Sequence, residues 1–105
     1  MSELLRIGVD LSKSVMHVQA GDRRGRLLWR RKVSRAKFSE LLQELPESTL
    51  VYMEACQGAH FWSRKAALCG LKARQISPRF VKPFVKSQKN DYNDAEAVLE
   101  AGSRP

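Results

Sequence analysis

Four carboxylates carry the chemical interest of this 105-residue chain: Asp10, Glu54, Asp91 and Asp94. Asp10 closes the apolar run Leu4-Leu5-Arg6-Ile7-Gly8-Val9, and Glu54 closes a second, Leu50-Val51-Tyr52-Met53. A carboxylate at the end of a buried strand loses solvation and needs a cation or several donors to compensate. Asp91 and Asp94 stand three apart where a helix should begin, which sets both on one helical face. Two strand-end acids and a helical acid pair offer hard oxygen ligands on rigid elements. Such a set suits Mg²⁺, with Mn²⁺ as a substitute, and metal-assisted chemistry at a phosphate.

Some of these acids also have a purely structural use. Asp10 can cap the turn into Leu11-Ser12-Lys13. Asp-x-x-Asp at a helix start is a self-capping pattern, so Asp91 fits either role. Asp94 projects one turn further along and is the better ligand of the pair. Glu54 has little structural use after Val51-Tyr52-Met53. Gly8 is expected to leave a substrate access to Asp10, and Glu96 and Glu100 are expected to be solvated helix charges.

The net charge of +8 is unevenly spread. Residues 23–39 hold eight Lys/Arg and no acid, and residues 55–90 hold eight more, again with no acid. A basic surface around a few focused carboxylates suits a polyanion bound through its phosphates. A soluble domain with a basic surface is the plainer alternative. Lys13, Arg79, Lys82, Lys86 and Lys89 are the candidate nucleic-acid contacts. Lys13 lies beside Asp10, and the other four are expected to share a helical face that Pro83 makes irregular.

Hydrophobic periodicity supplies the elements that must position the acids. Strands are expected over residues 4–11, 14–20 and 26–33, joined as an antiparallel meander with a turn at Gly21–Gly25. In the third strand Leu27, Trp29 and Val33 mark one face, with Leu28 as the exception. Ser34 is a good N-cap for a helix over 35–45, whose stripe is Phe38, Leu41, Leu42 and Leu45. Residues 49–54 are apolar on both faces and suit a central strand. A helix over 58–69 ends at Gly70, a strand follows over 71–76, and Pro78 opens a turn or short helix. The last helix starts near Asn90–Asp94 and runs to about Glu100. The order is β-β-β-α-β-α-β-α, an α/β chain with the pattern of a ribonuclease-H-like mixed sheet.

Other reactive side chains read as structural. His17 and His60 have no partner at ligand spacing, and Cys56 and Cys69 lack a Cys-x-x-Cys pattern and should stay reduced. Trp29, Phe38, Phe61 and Trp62 sit among apolar positions and are expected in the core, with Trp62 the most exposed. No apolar run approaches the roughly 20 residues of a membrane span, and no signal peptide is visible, so a cytoplasmic location without a membrane is expected.

The segments Ile7-Gly8-Val9-Asp10-Leu11-Ser12-Lys13, Met53-Glu54-Ala55-Cys56 and Lys89-Asn90-Asp91-Tyr92-Asn93-Asp94-Ala95-Glu96 occur in that order. Together with Ile76-Ser77-Pro78-Arg79-Phe80-Val81-Lys82 they closely resemble the N-terminal domain of the DEDD insertion-sequence transposases. That group includes Piv-type DNA invertases and recombinases guided by a bridge RNA. The resemblance implies a RuvC-like fold and an acidic tetrad at Asp10, Glu54, Asp91 and Asp94, serving as catalytic metal ligands. It also implies DNA as substrate, a guide RNA in some members, and a homo-oligomer. Family members are longer and carry a second domain with a nucleophilic serine. The chain is therefore expected to be a fragment, residues 1–105 forming one RuvC-like domain without that serine, and to be inactive alone. Ser12, Ser34, Ser63 and Ser77 read as structural.

The resemblance implies a DNA transposase or site-specific recombinase performing Mg²⁺-dependent phosphodiester cleavage and strand transfer. Two rivals use the same residues: a stand-alone metal-dependent nuclease with water as nucleophile, and a non-catalytic nucleic-acid-binding remnant. Gly8-Val9-Asp10-Leu11 also resembles the first phosphate loop of actin-like and sugar-kinase ATPases, but Ser12-Lys13 stands where such loops want glycine, and the chain is too short for two lobes.

Overall fold

The computed structural model describes residues 5–12, 14–22, 24, 26–85 and 93–103. Along the chain lie β1 (Arg6–Asp10), β2 (Val15–Gly21), β3 (Leu27–Ser34), α1 (Arg35–Glu44), β4 (Leu50–Glu54), α2 (Ala59–Leu68), β5 (Lys72–Ile76) and α3 (Pro78–Val81). A 3₁₀ turn over Lys82–Phe84 and α4 (Asn93–Gly102) complete the described elements. The strands form one mixed sheet in the order β3-β2-β1-β4-β5. Short connections make the β1–β2 and β2–β3 pairs antiparallel. Helical crossovers make β1–β4 and β4–β5 parallel, as returning strands of this kind require.

Alternation along the strands gives the sheet two different faces. Ile7, Val9, Met16, Val18, Val51 and Met53 point to one side, under Phe38, Leu41, Leu42, Trp62 and Ala66 of α1 and α2. Their partners in alternation, including Gly8 and Tyr52, point to the other side, where α4 lies. There Tyr52, Val81, Ala97 and Val98 form a smaller core. The caps follow the sequence. Ser34 Oγ accepts the Lys37 N–H at 3.2 Å at the start of α1. Gly70, at φ +83°, turns the chain after α2, a conformation open to glycine at little cost. Among the described residues no helix is long and apolar enough to cross a membrane.

Two expectations need correction. Trp62 is buried at 3% exposure against Phe38, and it is Phe61 that lies outside, at 45%. The two are adjacent on α2, about 100° apart around the axis, so only one can face the sheet. In β3, Leu27 does not share the buried face of Trp29 and Val33. Ala20 pairs with Trp29 but Gly21 pairs with Leu27, so Leu28 is the extra residue of a β-bulge, and both leucines stay exposed. The helix opened by Pro78 stops at Phe84, and Val85 is extended. Of the four cations expected on one helical face here, Arg79 and Lys82 fall within this helical stretch, and Lys86 and Lys89 lie outside the described residues.

Candidate metal and nucleic-acid site

Asp10 and Glu54 end the two parallel strands at the middle of the sheet. β1 and β4 pair through Val9 and Met53, so the next residues, Asp10 and Glu54, stand side by side about one strand spacing, ~4.8 Å, apart. Alternation sends both to the α4 side. They line one cleft of about 180 Å³ together with Leu11, Cys56 and Val98. Both are partly buried, as strand ends at the mouth of a cleft should be.

Val98 brings α4 into this cleft. Asp94 lies four residues before Val98, in the first turn of α4, and so on the same helical face. The Asp94 side chain, and the whole of Asp91, lie outside the described residues, as do Lys13, Lys86 and Lys89. Gly8 is what permits the approach. A β-carbon built there would fall 2.4 Å from the Ala95 carbonyl oxygen and 2.6 Å from both the Leu99 N and Cβ. Gly8 is therefore covered by α4 and gives no substrate access to Asp10, against the expectation. Gly102 does the same at the far end of the helix, where a β-carbon would fall 2.3 Å from the Tyr52 ring.

The sequence left out a neighbour of Asp10. His17 stands opposite it in the β1–β2 hairpin, with Nδ1 3.9 Å from Asp10 Oδ2. His17 is in turn opposite Lys32 of β3. One row across the α4 side of the sheet thus reads Lys32, His17, Asp10, Glu54, ending at Ile76 of β5. The signal was present in the sequence: hairpin partners sum to a constant, and pairing Ile7 with Ala20 also pairs Asp10 with His17. His60 also has a neighbour, Gln75 Nε2 at 3.4 Å from its Nδ1, on the far side of the sheet.

Beside this row, a groove of about 440 Å³ runs between α4 and the β2–β3 hairpin, lined in part by Gln19, Arg30, Glu96 and Glu100. Arg30 Nε donates to Gln19 Oε1 at 3.1 Å, and its Nη2 lies 3.4 Å from Glu96 Oε2. Glu96 is thus an ion-pair partner of the sheet and not a solvated charge. Asp22 fixes the hairpin turn. Its Oδ1 accepts the Arg24 and Arg26 N–H groups, each at 2.9 Å. The Arg26 hydrogen bond, aided by that of Arg24 and both guanidinium charges, holds its carboxyl below the ordinary carboxylate value despite opposing desolvation.

Arg79 and Lys82 are exposed beyond the β5 end of the row, and Arg30 and Lys32 are exposed at its β3 end. The acids therefore sit between two basic flanks. Ser12, Ser34 and Ser63 make hydrogen bonds within the domain. Ser12 Oγ donates to the Val15 carbonyl across the hairpin loop, and Ser63 Oγ donates to Met53 Sδ at 3.7 Å. Cys56 and Cys69 are free thiols. Among the described residues no group of three or more His, Cys, Asp or Glu is close enough to hold a metal. Asp10 and Glu54 give two hard oxygen donors in a shared cleft, a partial set of the kind that suits Mg²⁺.

No protein-family model matches the chain. It is 47% identical over 102 residues to a probable family 20 transposase of Pseudomonas aeruginosa, covering 97% of this chain and 30% of that one. It is 44% identical over 105 residues to the transposase for insertion sequence element IS1328 of Yersinia enterocolitica, covering 100% and 31%. It is 41% identical over 104 residues to the transposase for insertion sequence element IS1111A of Coxiella burnetii, covering 99% and 28%. The chain thus spans less than a third of the length of these relatives. Among solved structures, T. thermophilus RuvC in complex with a Holliday junction substrate matches with a TM-score of 0.61 at 12% identity, covering 93% of this chain and 91% of that one. Over its whole length the chain is homologous to insertion-sequence transposases, and its fold is that of a RuvC-like, ribonuclease-H-like domain.

Proposed function

We propose that this chain is the metal-binding part of a DNA transposase that cleaves and transfers strands. The observation that carries this is the pairing of Asp10 and Glu54 at adjacent parallel strand ends, in one cleft that α4 closes. Asp10, Glu54 and Asp94, with Asp91, would hold Mg²⁺. The cation supplies positive charge for the oxygens of the scissile phosphate. The protein's own residues do the rest. Asp10 and Glu54 would hold the cation at the strand ends, and Leu11, Cys56 and Val98 complete the lining of the cleft. The basic residues of the two flanks bind the DNA backbone on either side through phosphate contacts.

The attacking group would be a serine hydroxyl supplied by a segment outside this chain. As its oxygen loses the proton and bonds to phosphorus, the scissile P–O bond breaks. The released strand end takes up a proton as a free hydroxyl, leaving a serine–phosphate ester to the DNA. The whole transposase would act as a homo-oligomer, with a guide RNA as a further partner. A stand-alone nuclease with a water nucleophile shares the same acids. Incubation of supercoiled DNA with the wild type, Asp10→Asn and Glu54→Gln in Mg²⁺, Mn²⁺ or EDTA separates these alternatives. Binding tightened by metal in the wild type, lost in both variants and without nicking, is the expected result. Nicking by the chain alone would favour the nuclease. Metal-independent binding that is identical in all three proteins would overturn the catalytic assignment.

A further inference from the structure

Phe80 is 58% exposed, although it belongs to a short helix that is firmly anchored. The next residue, Val81, is 2% exposed and packs in the small core with Ala97 and Val98. The Phe80 N–H donates to the Ser77 carbonyl at 2.9 Å. The aromatic ring is thus presented outward by a fixed backbone. Its helix packs on the α4 side of the sheet, the side of the acids. β5 ends at Ile76, which is the partner of Glu54 and accepts the Ala55 N–H at 2.8 Å. Only the turn Ser77–Arg79 separates Phe80 from that strand level.

Its surroundings are cationic. The Arg79 guanidinium lies 5.1 Å from the Phe80 ring centroid, and Lys82 is exposed two residues on. An aromatic face beside two cations matches one nucleotide: a flat base on the ring, with its phosphates near the charges. Bases inside a duplex are covered on both faces by their neighbours, so a ring of this kind can only take a base that has left the stack.

We propose that Phe80, with Arg79 and Lys82, forms a stacking platform for an unpaired base of the DNA strand whose scissile phosphate lies at Asp10 and Glu54. This rests on the transposase assignment above and adds the form of the substrate: DNA that is single-stranded or distorted beside the reacting phosphate. Phe61 provides an internal comparison. It is 45% exposed, with Lys65 Nζ 5.7 Å from its centroid. It lies edge-on to Trp62 on α2, across the sheet from α4, and so away from the acids.

The test is fluorescence anisotropy with a short labelled DNA strand and its duplex, on the full chain, with folding checked by circular dichroism. Phe80→Ala should weaken single-strand binding about tenfold or more and leave the salt dependence unchanged. Phe80→Trp should restore it, Phe80→Leu should not, and Phe61→Ala should bind like the wild type. Arg79→Ala should lower the salt slope, because it removes a phosphate contact. Wild-type binding matched by Phe80→Ala, or restored equally by Leu and Trp, would overturn the stacking platform alone. No binding of either DNA by the wild type would overturn the platform together with the transposase assignment.

Discussion

Gly8 and Leu99 set how closely the last helix approaches the sheet: a β-carbon on Gly8 would lie 2.6 Å from that of Leu99. The neighbouring atoms are helix backbone and a Cβ, and none of them can swing away. This contact fixes how far α4 stands from β1, the strand that ends at Asp10. Gly8→Ala should therefore push the helix outward and cost about 1–3 kcal/mol, the usual range for overpacking. Gly58→Ala is the control, because its nearest neighbour is the Trp62 Cδ1 at 4.0 Å. Urea denaturation of the three proteins checks the expected order, with Gly58→Ala near the wild type.

The packing of α1 and α2 makes a second prediction. Phe38 is fully buried and touches Trp62 at 4.7 Å between ring centroids. Phe38→Ala should lose about 3–5 kcal/mol, as large-to-small changes in a core do. Leu68 is 88% exposed, and Leu68→Ala should stay within about 0.5 kcal/mol of the wild type. Thermal and chemical denaturation give both values.

The hairpin turn predicts a pH dependence. The Asp22 carboxyl is held below its ordinary value, first by the Arg26 N–H and also by the Arg24 N–H. A carboxylate whose pKa falls on folding stabilises the native state above its unfolded value, about 3.9, and that contribution disappears as pH drops through the lower folded value. Asp22→Asn keeps an acceptor oxygen but no charge. Its melting temperature should be lower than that of the wild type at neutral pH, and the gap should close below about pH 4. A gap that persists unchanged into acid would show that charge is not what Asp22 contributes.

His17 can be tested as a support for Asp10. His17→Ala should weaken Mn²⁺ binding by about tenfold, the lower end of what loss of an outer partner costs at a metal site. Lys32→Ala, one strand further out, should leave it unchanged. Titration calorimetry reads both, and equal affinities in all three proteins would remove His17 from the site.

Much of this arrangement is legible in the sequence because local rules dominate it. Asp10 and Glu54 announce themselves as acids at the ends of apolar strands, and Ser34 and Gly70 mark their helix ends. What escapes are consequences of strand pairing and helix seating. The contact of His17 with Asp10 follows from hairpin register, not from ligand spacing. The role of Gly8 depends on a helix more than 80 residues away in the chain. Phe61 and Trp62 are adjacent and both aromatic. Only the spacing of Ala59, Trp62 and Ala66, the buried residues of α2, says which one is inside. The bulge at Leu28 breaks an alternation that composition alone cannot correct.

The most direct measurement is a crystal structure from Mn²⁺-soaked crystals, with metal located by its anomalous signal. An anomalous peak in the cleft between Asp10 and Glu54, with the Asp94 carboxylate turned toward it, is the predicted result. Absence of a peak there at saturating Mn²⁺, with Asp94 directed to another surface, would contradict the assignment of these acids as a metal site.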